Sequence, residues 1–124
     1  MSAPAALDSR AFRETFARVK AEMARVVVGH DRALEQLLAA VFSGGHVLLT
    51  GMPGLGRTLM VKALADALNL SYRRLQFTPD LLPTDITGTE MLQSDKDGGN
   101  RAFRFHKGPV FANFVLADEI NRSP

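Results

Sequence analysis

The chain has 124 residues, room for one domain of ordinary size and a single core but not for two. Hydrophobic residues make up 46% and charged residues 23%, a globular composition that excludes wholesale disorder. The formal charge of +2 comes from 15 basic and 13 acidic side chains scattered among one another, and there is no cysteine, so a nucleic-acid stripe, disulfide staples and thiolate metal sites all fall away.

The N-terminus opens on small residues, Ser2 to Ala6, without the basic region and apolar block of a secretory signal. No later apolar run approaches the ~20 residues that span a bilayer, so a soluble cytoplasmic protein is expected. Asp8 or Ser9 can cap a first helix, in which Phe12, Phe16, Val19, Met23 and Val26 recur at helical spacing as a packing face, ringed by Arg13, Glu14, Arg18, Lys20 and Glu22. Val27-Val28-Gly29 breaks that period. Asp31 can cap a second helix carrying Leu34, Leu37, Leu38, Val41 and Phe42, stopped by Gly44-Gly45. His30, His46 and His106 show no metal-ligand spacing.

His46-Val47-Leu48-Leu49-Thr50 is short and apolar and reads as a strand buried on both faces of a parallel sheet. Gly51-Met52-Pro53-Gly54-Leu55-Gly56-Arg57-Thr58 follows at once and reads as a phosphate-binding loop: glycines let backbone N–H groups turn inward around an anion, and the next helix offers its positive end. The pattern G-x-x-x-x-G-K-[ST] wants lysine where this chain has Arg57. From Thr58 or Leu59 to Leu68 a helix is expected, with Leu59, Met60, Ala63, Leu64, Ala67 and Leu68 inward and Lys62 and Asp66 outward.

Ser71 to Phe77 gives a second strand, and Thr78 to Glu90, punctuated by Pro79 and Pro83, a loop with at most a short helical turn. Met91-Leu92 and Phe103-Arg104-Phe105 flank the turn composition Ser94 to Asn100, which predicts a β-hairpin; its Phe-Arg-Phe-His-Lys run reads as a plain surface hairpin before a partner-facing one. Val110 to Asn113 has room for one helical turn, and Phe114-Val115-Leu116-Ala117-Asp118-Glu119 reads as a buried strand ending in two carboxylates.

That acidic pair completes a nucleotide-hydrolysis reading. Asp118 would hold Mg²⁺ through its water shell, Thr58 would give the metal a hydroxyl, and Glu119 would polarise the attacking water. Ligands in open α/β sheets bind along the carboxyl edge, where both the loop and Asp118 fall.

From Val27 onward the chain resembles the MoxR branch of the AAA+ ATPases. The strings that carry the likeness are Gly44-Gly45-His46-Val47-Leu48-Leu49, the loop itself, Gln76-Phe77-Thr78-Pro79-Asp80-Leu81-Leu82-Pro83-Thr84-Asp85-Ile86-Thr87-Gly88, Gly108-Pro109-Val110-Phe111-Ala112-Asn113 and Leu116-Ala117-Asp118-Glu119-Ile120-Asn121-Arg122. The resemblance implies an α/β P-loop NTPase fold with a three-layer parallel sheet, here incomplete, and a β-hairpin insertion. It implies an N-terminal helix over 1–26 and a partial nucleotide-binding domain over 27–124. It further implies Val28 and Gly29 against the adenine, and His30 stands where the family usually has glutamine. The nucleotide-binding set is then Val28, Gly29, Gly51, Pro53, Gly54, Leu55, Gly56, Arg57, Thr58 and Leu59, the metal set Thr58 and Asp118, and the catalytic residue Glu119, with ATP and Mg²⁺ as cofactors.

By the same resemblance the function is ATP-driven remodelling by a ring-forming, usually hexameric chaperone acting on a client protein, often beside a von Willebrand factor A domain partner. Two departures bear on activity. Arginine for lysine at position 57 is not conservative where an ammonium fits, so weaker ATP binding and strongly reduced hydrolysis are expected, with Arg57 reaching the phosphates from a shifted rotamer as the competing view. The sequence halts at Ser123-Pro124, short of the family's sensor residue, arginine finger and helical lid, so a fragment is expected, with Val47 to Leu49 and Val115 to Ala117 lacking their common neighbouring strand. The alternatives are a regulatory or structural module that binds nucleotide without hydrolysing it, and a small nucleotide kinase, against which Asp118-Glu119 stands because a kinase must exclude water.

Overall fold

The computed structural model describes residues 8–51, 56–94 and 98–124. Two compact units divide the chain, one ending at Asn69 and the other beginning at Leu70.

The first unit is helical. Helix α1 spans Ser9–Ala24 and starts where the sequence says it should: the Asp8 side chain accepts from the Arg10 N–H, closing one of the open donors of the first turn. Helix α2 spans Asp31–Phe42, with His30 in the cap position and Asp31 inside the first turn, one place later than a cap. Helix α3 spans Arg57–Ala67. Their shared core is Val19 and Met23 from α1, Leu34, Leu37 and Leu38 from α2, and Met60, Val61, Leu64 and Ala65 from α3, joined by Val27. At the outer end of α1 and α2, Phe12, Phe16 and Phe42 form an aromatic cluster, with Phe12 meeting Phe42 edge to face at 5.3 Å between ring centres. Lys20 bridges to Glu35 across the same two helices at 3.2 Å.

Helix α3 packs by a different face from the expected one. Met60 and Leu64 are buried as expected, but Val61 and Ala65 join them while Leu59 and Ala67 stay exposed. The helix is apolar on most sides, so either stripe could have turned inward. The displaced stripe instead opens, with Val26 of the α1 exit, onto a shallow groove of about 360 Å³ flanked by Glu22, Lys62 and Asp66.

The apolar run 46–50 joins no ladder among the described residues, and Leu48 is 77% exposed. It was expected as a strand buried on both faces. Such a strand needs neighbours on either side, and the described residues provide none to it.

The second unit holds two small sheets. Strand β1, Tyr72–Gln76, pairs in parallel with the last strand, Phe114–Asp118. Between them come α4, Pro83–Thr87, and two strands, β2, Gly88–Ser94, and β3, Arg101–Lys107, which pair as the expected antiparallel hairpin; the last strand is therefore β4. The turn residues 95–97 lie outside the described residues, as do Ser2 to Ala6. Residues 109–113 form turns and bends instead of a helical turn, and β4 is half-buried on one face and exposed on the other, not buried throughout.

Two devices fix this unit. Asn113 Oδ1 accepts from the Ser71 N–H at 3.0 Å and from Ser71 Oγ at 2.8 Å, and Ser71 Oγ accepts from the Asn113 N–H at 2.9 Å, so the starts of β1 and β4 are clasped. At the hairpin base Gly88 and Gly108 meet backbone to backbone: a Cβ on Gly108 would overlap the Ile86 carbonyl, and one on Gly88 the His106 carbonyl. Gly88 also sits at φ 96°, where a side chain is strained. The Leu82 N–H donates to the Asp85 carboxylate at 2.9 Å and so starts α4 just before that base.

Candidate functional site

The glycine loop leaves the apolar run at Gly51, whose φ is 144°, and re-enters described structure at Gly56, whose φ of 69° is left-handed. A Cβ at Gly56 would meet nothing within 4 Å, so it is the backbone turn, not crowding, that requires glycine there. That turn delivers the first N–H groups of α3 with no side-chain cap and no acidic residue in the first turn. The N-terminal end of the helix therefore keeps its positive character for an anion. Pro53, Gly54 and Leu55 of the expected set lie outside the described residues, as does Met52.

Arg57 is the first helical residue, half-buried, and its guanidinium turns back on the loop. Nη1 donates to the Leu49 carbonyl at 3.3 Å and Nη2 to the Gly51 carbonyl at 3.0 Å. The fork thus ties the end of the apolar run and the first loop glycine to the helix start. Thr58 and Leu59 follow on the exposed side of the same turn. Val28 is 80% exposed beside buried Val27, and Gly29, at φ 85°, bends the chain into α2.

In the second unit Asp118 closes β4 and its carboxylate is 34% exposed. Arg74 of β1 donates to its Oδ2. That hydrogen bond, and behind it the carboxylate charge, hold the Arg74 proton more firmly than in an ordinary guanidinium. Glu119, next in the chain, takes a left-handed turn at φ 55°, and its Oε2 lies 3.5 Å from Arg122 Nε. Each member of the acidic pair therefore has its own cationic neighbour. Sequence reasoning missed both; Arg122 was readable at helical spacing from Glu119, whereas Arg74 meets Asp118 only through the parallel register.

Tyr72 lies on the same face of β1 as Arg74. Its hydroxyl is buried with no hydrogen-bond partner among the described residues, and burial raises its pKa above the ordinary value. Past β1, Thr78 Oγ1 donates to Asp80 Oδ1 at 2.7 Å, which lowers the Asp80 pKa.

No group of three or more potential metal ligands occurs among the described residues. A phosphate-bound Mg²⁺ needs fewer, since it keeps several waters and takes one or two protein oxygens. Thr58, in the first unit, carries a hydroxyl and Asp118, in the second, a carboxylate, each a hard oxygen donor by its chemistry. No helix of the described residues is long and apolar enough to cross a membrane.

Comparison with known proteins agrees with this architecture. The profile of the ATPase family associated with various cellular activities (AAA) matches residues 46–124. The chain is 46% identical over 110 residues to the chaperone MoxR1 of Mycobacterium tuberculosis, covering 89% of this chain and 28% of that protein. It is 43% identical over 117 residues to the protein MoxR of Methylorubrum extorquens, covering 90% of this chain and 33% of the other. A crystal structure from Cytophaga hutchinsonii, described as a candidate ATPase, superposes with a TM-score of 0.79 at 46% identity, over 94% of this chain and 34% of that one. The chain thus spans about a third or less of the length of these relatives.

Proposed function

We propose that this chain, which belongs to the ATPase family associated with various cellular activities, binds ATP with Mg²⁺ as part of a MoxR-like remodelling chaperone and hydrolyses it poorly. The observation that carries the reading is the left-handed Gly56 placing the uncapped start of α3 beside Gly51 and Arg57. A loop of that build offers an anion backbone donors and a helix dipole together.

In this reading the phosphates lie along residues 51–58, with the N–H groups of the first turn of α3 as donors. Val28 and Gly29 take the adenine, Thr58 and Asp118 are the oxygen donors to the metal, and Glu119 orients and polarises the attacking water. Bound Mg²⁺ would neutralise charge on the phosphate oxygens. Residues 27–124 are taken as part of the nucleotide-binding domain and 1–26 as an N-terminal segment that carries α1, in a cytoplasmic protein. The whole protein would form a hexameric ring and act on a client protein, with a von Willebrand factor A domain protein as a further partner; the name of one relative, chaperone MoxR1, supports the chaperone part of this.

Arg57 favours a second reading, in which nucleotide is bound and not hydrolysed. Its guanidinium donates to the Leu49 and Gly51 carbonyls, so part of its donor capacity is committed to the backbone before any phosphate binds. Titration of the 124-residue chain with a fluorescent ATP analogue, with and without Mg²⁺, tests the common premise. Saturable binding that Mg²⁺ strengthens and Thr58→Ala weakens is expected; no saturable binding would overturn both readings. Phosphate release then separates them.

A further inference from the structure

Aligned residues of neighbouring strands share a face. Gln76 is aligned with Asp118 and Arg74 with Leu116, so Arg74 stands diagonally one pleat behind Asp118 on the same face of the parallel pair. The register alone therefore sets a guanidinium against the carboxylate, and Nη2 bonds to Oδ2. Arg73, its neighbour in sequence, points to the other face. Both partners are partly open to water, at 48% and 34%, so an incoming ion can reach them.

We infer that Arg74 is a positioning residue that keeps Asp118 from collecting a bare divalent cation and makes the metal enter only as its complex with a polyphosphate. This rests on the assignment of Asp118 to the metal in the preceding subsection. The argument is one of sign. A free dication approaching Asp118 meets a carboxylate already neutralised by a fixed positive charge, and is repelled by that charge. A metal bound to a triphosphate arrives with a net negative charge, and the same guanidinium attracts it. One residue thus opposes the bare ion and favours the complex.

The opposite signs give the test. The 124-residue chain and its Arg74→Met and Arg74→Lys variants are titrated with Mn²⁺ alone, followed by loss of the free-ion electron paramagnetic resonance signal. They are then titrated with a fluorescent ATP analogue in excess Mg²⁺. In Arg74→Met, bare Mn²⁺ should bind about three- to tenfold more tightly, the size of a screened repulsion between single and double charges about 6 Å apart in a water-like medium. The metal–nucleotide complex should bind more weakly by a similar factor. Arg74→Lys, which keeps the charge, should return both toward the parent values. A purely structural ion pair would weaken both ligands together in Arg74→Met, and that result overturns the inference, as does unchanged Mn²⁺ uptake in a variant that still binds the nucleotide. If neither the parent chain nor Arg74→Lys binds the nucleotide, the site assignment itself falls and the inference with it.

Discussion

Arg57 Nη2 donates to the carbonyl oxygen of Gly51 across 3.0 Å, while Nη1 donates to that of Leu49, so two of its N–H donors are engaged by backbone before any phosphate arrives. A lysine has a single compact ammonium and cannot span two carbonyls with the same fork. Arg57→Lys should therefore bind the ATP analogue about tenfold more tightly, near 1.4 kcal/mol, and release phosphate faster. Equal affinity and equal turnover in the two proteins would refute the account of Arg57.

The hairpin base depends on two glycines having no side chains. Gly108→Ala forces a methyl group onto the Ile86 carbonyl, and overpacking of that kind costs about 1–3 kcal/mol. By contrast Gly99, at the turn, has nothing within 4 Å of a built Cβ, and Gly99→Ala should leave stability unchanged or slightly raised. Denaturant melts of both variants against the parent measure the difference.

Tyr72 is the only tyrosine and the chain has no tryptophan, so absorbance at alkaline pH reports this residue alone. Burial raises its pKa first, with Asp118 adding to the shift and Arg74 opposing it. It should ionise above the ordinary value of 10.0. A raised folded value means its contribution to stability is fully present below the unfolded pKa and is lost as pH rises through the folded one. Tyr72→Phe removes a buried hydroxyl that makes no hydrogen bond among the described residues, and should be neutral or stabilising by up to about 1 kcal/mol at neutral pH.

Asp80 carries the opposite sign. The Thr78 hydroxyl, and then the Asp80 backbone, hydrogen-bond its ionised form and lower its pKa. Its contribution is present above the unfolded value and is lost as pH falls through the folded one. Thr78→Val should move the Asp80 carboxyl back up toward 3.8, read by carbon-13 chemical shift across an acid titration; an unmoved midpoint would show that the hydroxyl is not the cause.

Local signals in the sequence were enough for much of this fold. Asp8 and the spacing from Phe12 to Met23 mark α1, and Gly98-Gly99 between two alternating apolar pieces marks the hairpin, because caps and turns are chemistry of adjacent residues. What escaped depends on distant partners. The run 46–50 has the composition of a buried strand, but composition cannot supply the strands it would lie between. The face of α3 was ambiguous because Leu59 and Ala67 are as apolar as Val61 and Ala65. The Arg74–Asp118 contact joins residues 44 apart and exists only in one register. Gly56 was legible as a turn glycine, whereas the direction of the Arg57 side chain was not, since it is a choice among rotamers.

The Ser71–Asn113 clasp sits at the opposite end of β1 and β4 from the acidic pair. Side chains alternate along a strand, so a slip of a single residue would carry Asp118 to the reverse side of the sheet from Arg74. One serine and one asparagine, neither of them charged, therefore reinforce the register that decides which way the carboxylate of β4 faces.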